Sequence, residues 1–382
     1  MKLIVGMDAK RIVRNRTGLG SYGRTLVNDL VRLNDDGLQL RLYAPDEGAD
    51  DLRRQIMGQD GPVSFCHPGR RPLQCKFWWR SRGIVHDLVR DGVQVFHGLS
   101  GELPVGLRRA GIKGVVTIHD LIFLRHPEYY HWIDTKLYDW KFRYTLREAD
   151  RIIAISECTK RDIMEFGHVP AEKIDVIYQS CAPKFSGSLS EGTLQQIRQK
   201  YTLPLHFILN VGTVEERKNV LLAVQSLPSL PADVALVIVG RSTPYVREVT
   251  KYIERHHLGQ RVLLLHNVSN EELAALYQLA EVFVYPSRYE GFGIPIIEAI
   301  HSGLPVVACT GSCLEEAGGP DSLYVAPDDA AGMAAAIRQL LKGAENRDER
   351  IRRSREYVRR FEGTDVAGQV AEVYRQLTAD IK

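Results

Sequence analysis

The chain has 382 residues, 44% hydrophobic and 25% charged, a composition typical of a globular protein long enough for two domains. Its net charge of +3 is too small to favour a nucleic-acid partner, and no apolar run reaches the ~18 residues of a membrane span. The N-terminal MKLIVGMDAK becomes charged too early for a signal peptide, and the six cysteines lack zinc-site spacing. We therefore expect a cytoplasmic protein with reduced thiols and no metal site.

Segments with the pattern of buried strands alternate with helical patterns, which predicts an α/β fold with parallel sheets. The predicted strands are Leu3–Met7, Leu38–Tyr43, Val93–Phe96, Gly114–Ile118, Arg151–Ile155, Ile174–Ile177, Phe207–Val211, Ala235–Val239, Val262–Leu265, Val282–Tyr285 and Val306–Cys309. The polar segment Lys184–Thr193 predicts an interdomain linker, with a first domain over residues 1–185 and a second over 194–363. A final helix is predicted over Thr364–Thr378.

Three glycines after the first strand, Gly18, Gly20 and Gly23, form a GxGxxG pattern that would suit an NAD-dependent oxidoreductase. That fingerprint needs its glycines directly after the strand, whereas the ten residues from Ala9 to Gly18 intervene here. The intervening segment is basic, which predicts either a flexible loop or a loop that approaches an anionic ligand. The oxidoreductase therefore remains an alternative.

Residues 69–82 (GRRPLQCKFWWRSR) combine cations with aromatic side chains and contain no acid. Basic residues interleaved with tryptophan suit an anionic membrane surface, or an anionic or lipid-linked acceptor. The alternative is a helix that buries its aromatic side chains in the core.

Two histidines follow predicted strands of the first half. His119 comes directly after Gly114–Ile118, and His97 after Val93–Phe96. Open α/β sheets bind ligands at the carboxyl ends of their strands, so both histidines are candidates for a ligand cleft. The alternative for His119 and Asp120 is a structural hydrogen bond.

In the second half, a glycine turn at Gly212 precedes Arg217 and Lys218, which stand just before a helix that Asn219 could cap. Adjacent cations at such a position can neutralise a diphosphate. Further along, Ser269-Asn-Glu-Glu272 has the pattern of a helix capping box.

The segment from Val282 to Cys309 reads as a strand, a glycine loop, a helix and another strand. Glu290 and Glu298 bracket the loop, and Pro295 suits the first turn of the helix. A helix N-terminus favours a phosphate, and carboxylates accept hydrogen bonds from sugar hydroxyls, which together suit a sugar nucleotide. The alternative is a helix cap at Glu290 and a solvated Glu298.

The run Glu290-Gly291-Phe292-Gly293-Ile294-Pro295-x-x-Glu298, with Tyr285-Pro286-Ser287 before it and Gly303-Leu304-Pro305 after it, resembles the Glu-x7-Glu signature of the retaining glycosyltransferases of family 4. HDLIFLRHPEYY similarly resembles the His-Asp segment of that family. The resemblance implies a GT-B fold, in which two Rossmann-like, doubly wound parallel-sheet domains face each other across a cleft. It also implies that the last helix, within residues 364–382, crosses back to the first domain. The turn from Gly311 to Glu316 lacks the proline usual in this family.

The resemblance also implies roles for individual residues. Glu290 would hold sugar hydroxyls, Glu298 the ribose, and His119 the donor sugar. Arg217 and Lys218 would bind the diphosphate. The implied catalytic residues are His119, Glu290, Arg217 and Lys218, and the implied donor-binding residues are Gly20, Gly212, Val268, Gly291, Phe292, Gly293, Ile294 and Glu298.

The implied activity is a metal-independent, cofactor-free hexosyltransferase that retains the anomeric configuration of a nucleotide-sugar donor. The pattern looks most like that of bacterial mannosyltransferases, so GDP-mannose is the first expected donor and a UDP-hexose the second. The acceptor would be a saccharide or lipid-linked saccharide of a bacterial surface polysaccharide, with peripheral contact at the inner face of the plasma membrane. Besides the oxidoreductase, a non-catalytic sugar-nucleotide-binding protein, an epimerase and a phosphorylase remain alternatives.

Overall fold

The computed structural model describes residues 2–69, 78–181 and 183–379. The chain folds into two compact units. Unit 1 comprises Met1–Ser180 and Phe361–Lys382, and unit 2 comprises Cys181–Arg360. The chain therefore returns to unit 1 after completing unit 2.

Unit 1 is built on a seven-stranded parallel sheet with the strand order β3-β2-β1-β4-β5-β6-β7. Its strands are β1 (Leu3–Asp8), β2 (Leu38–Tyr43), β3 (Val63–Cys66), β4 (Val95–Gly98), β5 (Lys113–Ile118), β6 (Arg151–Ala154) and β7 (Ile174–Val176). The chain first builds outward from β1 to β3 and then continues from β4 on the other side of β1. The winding direction thus reverses between β1 and β4.

Unit 2 repeats this plan with a six-stranded parallel sheet in the order β10-β9-β8-β11-β12-β13. Its strands are β8 (His206–Val211), β9 (Val234–Val239), β10 (Val262–Leu265), β11 (Val282–Tyr285), β12 (Val306–Cys309) and β13 (Leu323–Val325). Here the winding direction reverses between β8 and β11. In such sheets the crevice beyond the reversal point is the usual place for a ligand.

Every predicted strand is present, with shifts of one or two residues at its ends. Two strands, β3 and β13, were not predicted. Both are short, both lie at the edge of a sheet, and both are only partly buried. Their sequences, VSFC and LYV, are too short to carry a periodic signal.

The helices pack on both faces of each sheet, and the central strands are accordingly buried along their whole length. Those of unit 1 are α1 (Lys10–Arg14), α2 (Gly18–Arg32), α3 (Asp50–Arg53), α4 (Ile84–Arg90), α5 (Ile122–Arg125), α6 (Trp132–Glu148), α7 (Glu157–Gly167) and α16 (Gly363–Thr378). Those of unit 2 are α8 (Glu191–Lys200), α9 (Val220–Ser226), α10 (Val246–Arg255), α11 (Asn270–Leu279), α12 (Ile294–His301), α13 (Leu314–Gly318), α14 (Ala330–Arg338) and α15 (Arg347–Val358).

The last helix, α16, packs into the core of unit 1. Val366, Val370 and Tyr374 share one apolar cluster with Leu26 of α2 and Val95 of β4. The phenol of Tyr374 also lies 2.6 Å from Nδ1 of the buried His97. Helix α16 is therefore an integral part of unit 1.

The glycine-containing segment after β1 differs from the prediction. Residues 10–14 form α1 rather than an open loop, and Arg14 and Arg16 form exposed ion pairs with Asp46 and Asp51. The GxGxxG pattern lies inside α2 rather than before a helix. A Cβ at Gly20 would lie 1.9 Å from the backbone oxygen of Asn15, so close packing requires glycine there.

Candidate functional site

The clearest constellation of unit 2 lies where β8 and β11 end side by side. Two segments meet at this edge. One is the turn from Gly212 through the single 3₁₀ turn Glu216–Lys218, and the other is the loop from residue 286 to 293. The amide of Arg288 donates to the carbonyl of Arg217, with 2.9 Å between nitrogen and oxygen, which ties the two segments together.

The glycine loop is shaped by one unusual backbone conformation and one buried thiol. Gly293 has φ of 124°, and Ile294 and Pro295 then begin α12. The thiol of Cys313 donates to the carbonyls of Glu290 and Phe292, with sulfur–oxygen distances of 3.0 and 2.9 Å. Cys313 thus supports the loop in the turn where the family usually has proline.

Arg217, Lys218 and Glu290 form one ion cluster. Lys218 Nζ lies 2.5 Å from Oε1 of Glu290, and Arg217 Nη1 lies 3.1 Å from Oε2. Lys218 also donates to the phenol of Tyr285 at 2.8 Å, while Arg217 donates to the carbonyl of Tyr289 at 2.7 Å. Both carboxylate oxygens of Glu290 are therefore occupied by cations.

Burial and charge act in opposite directions on this cluster. Burial disfavours ionisation of Glu290, but Lys218 and Arg217 outweigh it and lower the pKa of the carboxyl to about 2. Burial likewise opposes the charge of Lys218, but Glu290 raises the pKa of its ammonium. The cluster is thus ionised at neutral pH without a ligand.

Glu298 lies on α12, after the glycine loop that carries Glu290, and its environment is different. It accepts a hydrogen bond from the phenol of Tyr277, with 3.0 Å between the oxygens. Burial raises the pKa of the Glu298 carboxyl to about 7, opposed in part by Tyr277 and by the charge of Lys184. The interpretation of Glu290 as a helix cap and Glu298 as a solvated side chain is therefore wrong.

The other predicted donor residues of unit 2 surround this edge. Gly212 follows β8 directly, and the side chain of Lys218 passes 3.8 Å from where its Cβ would be. Val268 precedes α11, whose capping box of Ser269 and Glu272 is confirmed. Asn219 occupies the N-cap position of α9 as predicted, but its side chain makes no capping hydrogen bond, and its amide nitrogen donates to the carbonyls of Pro286 and Pro327.

His119, in unit 1, follows β5 as predicted. Its Nε2 donates to the carbonyl of Leu99, and its Nδ1 accepts from the amide of Gln179, each at 2.8 Å. Burial lowers the pKa of His119 to about 4, so the ring is neutral at pH 7 with its proton on Nε2. The ring of Tyr22 packs edge-on against it, with 4.7 Å between centroids.

His97 does not line a surface, and its prediction as a cleft residue is wrong. It is fully buried, and its Nε2 lies 2.8 Å from the hydroxyl of Thr117 while its Nδ1 faces Tyr374. Burial lowers its pKa to about 3. This histidine joins α16 to the sheet.

The structure describes only part of the basic aromatic segment 69–82. Residues 70–77 lie outside the described residues. Trp79 is buried, and its indole donates to Asp87 at 2.7 Å, so the core interpretation holds for this side chain. Arg80 is held in ion pairs with Asp8 and Glu102, at 2.6 and 2.5 Å.

The ion cluster of Asp8, Arg80 and Glu102 lines a cavity of about 190 Å³ in unit 1, at the winding reversal between β1 and β4. Asp8 ends β1, and Lys141 of α6 lies 3.1 Å from Glu102. The walls are largely apolar and come from Ile84, Phe96, Leu103, Pro104, Val105, Trp140 and Tyr144. The sequence analysis missed this cluster. The one available signal was Asp8, a carboxylate at the end of a buried strand.

The fold and the two reversal points define a GT-B protein, and comparison with known proteins agrees. Sucrose-phosphate synthase from Thermosynechococcus elongatus superposes with a TM-score of 0.80 at 22% identity, over 99% of this chain and all of that one. Anabaena HepE, solved in complex with UDP, superposes with a TM-score of 0.76 at 17% identity, over 98% of this chain and 100% of that one.

Two family models match the chain: "glycosyl transferases group 1" over residues 195–357 and "glycosyltransferase family 4" over 17–181. The chain therefore belongs to the family 4, group 1 glycosyltransferases. It is 29% identical to O-antigen chain mannosyltransferase B of Escherichia coli over 288 residues, and this aligned region covers 74% of each protein. It also matches the serotype-specific mannosyltransferase WbdA of E. coli at 26% identity, over 68% of this chain but about a third of that longer protein.

Within residues 2–69, 78–181 and 183–379, no helix is both long and apolar enough to cross a membrane. Nor do these ranges contain three or more His, Cys, Asp or Glu side chains grouped so that they could hold a metal ion.

Proposed function

We propose that the protein is a retaining hexosyltransferase that moves mannose from GDP-mannose to a lipid-linked saccharide in bacterial surface-polysaccharide synthesis. The Arg217–Lys218–Glu290 cluster beside the α12 N-terminus is the observation that carries the proposal. It offers two cations and a helix N-terminus for a diphosphate, and it is located where open α/β sheets bind ligands.

Departure of a nucleoside diphosphate creates negative charge on the leaving oxygens. Lys218 and Arg217 are already fixed by Glu290, so they would meet that charge without reorganising. The incoming diphosphate would share these cations with Glu290. The carboxylate of Glu290 would then accept hydrogen bonds from the hydroxyls of the donor sugar.

Glu298 would hold the ribose, and the partly buried surroundings that raise its pKa also exclude competing water. Tyr277 would orient its carboxyl by the hydrogen bond described above. His119 would present a neutral ring toward the donor sugar, with both ring nitrogens held by Leu99 and Gln179.

The acceptor would enter unit 1 at the cavity between β1 and β4. Trp140 and Tyr144 give it flat apolar faces of the kind that sugars stack on, while Asp8 and Glu102 offer hydrogen-bond acceptors. A lipid-linked acceptor would require the enzyme to work in the cytoplasm at the inner face of the plasma membrane.

The choice of mannose rests on the relative from E. coli, which is named as an O-antigen chain mannosyltransferase. A UDP-hexose is the second candidate donor because HepE was solved with UDP. The oxidoreductase alternative loses its basis, since the glycine pattern lies inside α2 and the chain belongs to a glycosyltransferase family.

A thermal-shift panel of GDP, UDP, ADP and NAD would test the donor class, with Glu298→Ala as the site variant and Glu248→Ala, an exposed glutamate of α10, as control. A ligand at a hundredfold excess over its Kd raises stability by about 2.7 kcal/mol. We expect a shift with GDP that Glu298→Ala reduces and the control keeps. A shift with NAD alone would overturn the proposal. NMR of the product formed from GDP-mannose would then report whether the anomeric configuration is retained.

A further inference from the structure

One side of helix α6 in unit 1 is unusually apolar for a surface. At about 100° per residue, one sector of about 140° carries most of the exposed aromatic and aliphatic side chains of the helix, whereas Tyr138, 42% exposed, lies on the other side. The aromatic and aliphatic side chains in the sector are Trp132, Ile133, Leu137, Trp140 and Tyr144. The opposite side, with Phe142 and Leu146, packs into the core.

The side chains of this sector are strongly exposed. Trp132 is 74% exposed, Trp140 64%, Ile133 62% and Leu137 47%. Each buried Trp or Ile side chain of this size would gain on the order of 2 kcal/mol, so leaving several exposed on one helix is costly unless something covers them. A contiguous apolar patch of this kind marks an interaction surface.

The remaining residues of the same sector are cations: Lys136, Arg143 and Arg147. No carboxylate lies in this sector of α6, all of whose residues the structure describes. Asp139 and Glu148 each lie about 20° beyond one of its edges and Asp134 lies farther away, while Asp139 pairs with Arg143 at 3.0 Å and leaves Lys136 and Arg147 as the other cations of the sector. Aromatic side chains mixed with cations and without acids suit the interface of an anionic lipid bilayer.

A basic concavity continues the sector at the C-terminal end of α6. Arg143 and Arg147 line it together with Arg108, His168 and Lys173. Lys173 is partly engaged, because its Nζ donates to the carbonyl of Leu146 at 2.8 Å. The arginines can meet phosphate groups while the tryptophans on the same helix enter the apolar layer.

We propose that this sector, from Trp132 to Arg147 on α6, is the surface by which the protein docks on an anionic membrane. The inference rests on the proposed use of a lipid-linked acceptor and assigns a membrane contact to α6, while the prediction for residues 69–82 stays a prediction. Charge selects the occupant: a second copy of this chain would place the same cations against each other, whereas lipid phosphates neutralise them.

Flotation with vesicles of phosphatidylglycerol and phosphatidylcholine tests the proposal on the full chain, with pure phosphatidylcholine as the neutral comparison. Lys136→Glu/Arg147→Glu is the charge variant. Arg247→Glu/Arg255→Glu, on exposed positions of α10, is its matched control. Each cation at such a surface changes partitioning about fivefold, so loss of the two cations alone should weaken binding about 25-fold, and the two added carboxylates should weaken it further. The control should bind as wild type.

Trp132→Ser/Ile133→Ser tests insertion, with Leu205→Ser, 69% exposed in unit 2, as its control. We expect lipids brominated in their acyl chains to quench the tryptophan fluorescence of wild type and of the control, and to quench this variant much less. All of these changes are at exposed positions, and GDP thermal shifts on the same samples report whether the donor site is intact.

Absence of binding to phosphatidylglycerol vesicles would overturn the proposal, as would equal losses in the α6 variants and their controls. So would a concentration-dependent dimer in sedimentation that Trp132→Ser/Ile133→Ser dissociates, because the sector would then cover a second copy. Failure of the donor panel with intact vesicle binding would count against the proposed function alone.

Discussion

The two winding reversals of this molecule carry two differently built ion clusters. In unit 2, Arg217, Lys218 and Glu290 come from two short segments, each continuous in sequence. In unit 1, Asp8, Arg80, Glu102 and Lys141 come from four separate places in the chain. One fold has thus produced the same kind of buried charge cluster by local motifs in one unit and by tertiary packing in the other.

The surroundings of the two clusters differ as well. The unit 2 cluster adjoins a glycine loop and the N-terminus of α12, which suit an anionic ligand. The unit 1 cluster lies at the base of a cavity with largely apolar walls, which suits a neutral one. Under the proposed function, the phosphate-bearing donor would bind unit 2 and the acceptor unit 1, and four measurements test this difference.

Lys218→Met should have the largest effect, because it removes a buried cation at the proposed diphosphate. We expect turnover of the nucleotide sugar to fall by about 10²–10³-fold. Lys251→Met, at an exposed position of α10, is the matched control and should turn over as wild type. Unchanged turnover in Lys218→Met would remove the diphosphate from this cluster.

Arg80→Met should destabilise unit 1 and leave the donor site alone. Asp8 would lose its buried partner, at a cost of about 3 kcal/mol, the low end for a broken buried pair because Lys141 still faces Glu102. Urea unfolding measures the loss, and calorimetry with GDP should give the wild-type Kd. A weakened GDP affinity at equal folded fraction would break the separation between the two clusters.

The pH dependence of stability should report Glu298. Its pKa of about 7 in the folded protein exceeds the ordinary 4.5, so between these values the folded carboxyl keeps a proton that the unfolded chain releases. The free energy of unfolding therefore decreases as pH rises through this window, by up to about 3 kcal/mol.

Glu298→Gln removes that contribution. Between pH 5 and pH 8, the unfolding free energy of wild type should therefore fall relative to that of the variant. Taking the difference cancels His97 and His119, whose lowered pKa values make stability rise with pH. A difference that stays constant over this range would show that Glu298 has an ordinary pKa.

Cys313→Ala should have the smallest effect. It removes the thiol that donates to two carbonyls of the glycine loop, at a cost of about 1 kcal/mol, and it should weaken GDP binding by a few-fold. Cys309→Ala, at a buried cysteine that ends β12 in the same unit, is the control. Equal GDP affinities for the two variants would mean that Cys313 does not shape the loop.

Most of the fold was predictable, because buried parallel strands are short continuous apolar runs that alternate along the chain with helical patterns. The strands β3 and β13 were missed because edge strands are short and half-exposed. The Arg217, Lys218 and Glu290 cluster was within reach because its residues lie in recognisable segments. The contact between Asp8 and Arg80 was not predictable, because the two residues are 72 positions apart and meet only in the folded unit. The Cys313 contacts were not predictable either, because they depend on how α13 packs.

The return of α16 to unit 1 sets an order for folding during synthesis. Tyr374 and Val370 complete a core whose other members, such as Leu26 and Val95, are made hundreds of residues earlier. A ribosome delivers about 5–20 residues per second, so unit 1 must wait roughly ten seconds or more for its last helix, the time in which unit 2 is made. Until then, the apolar side chains that α16 covers lack their packing partner.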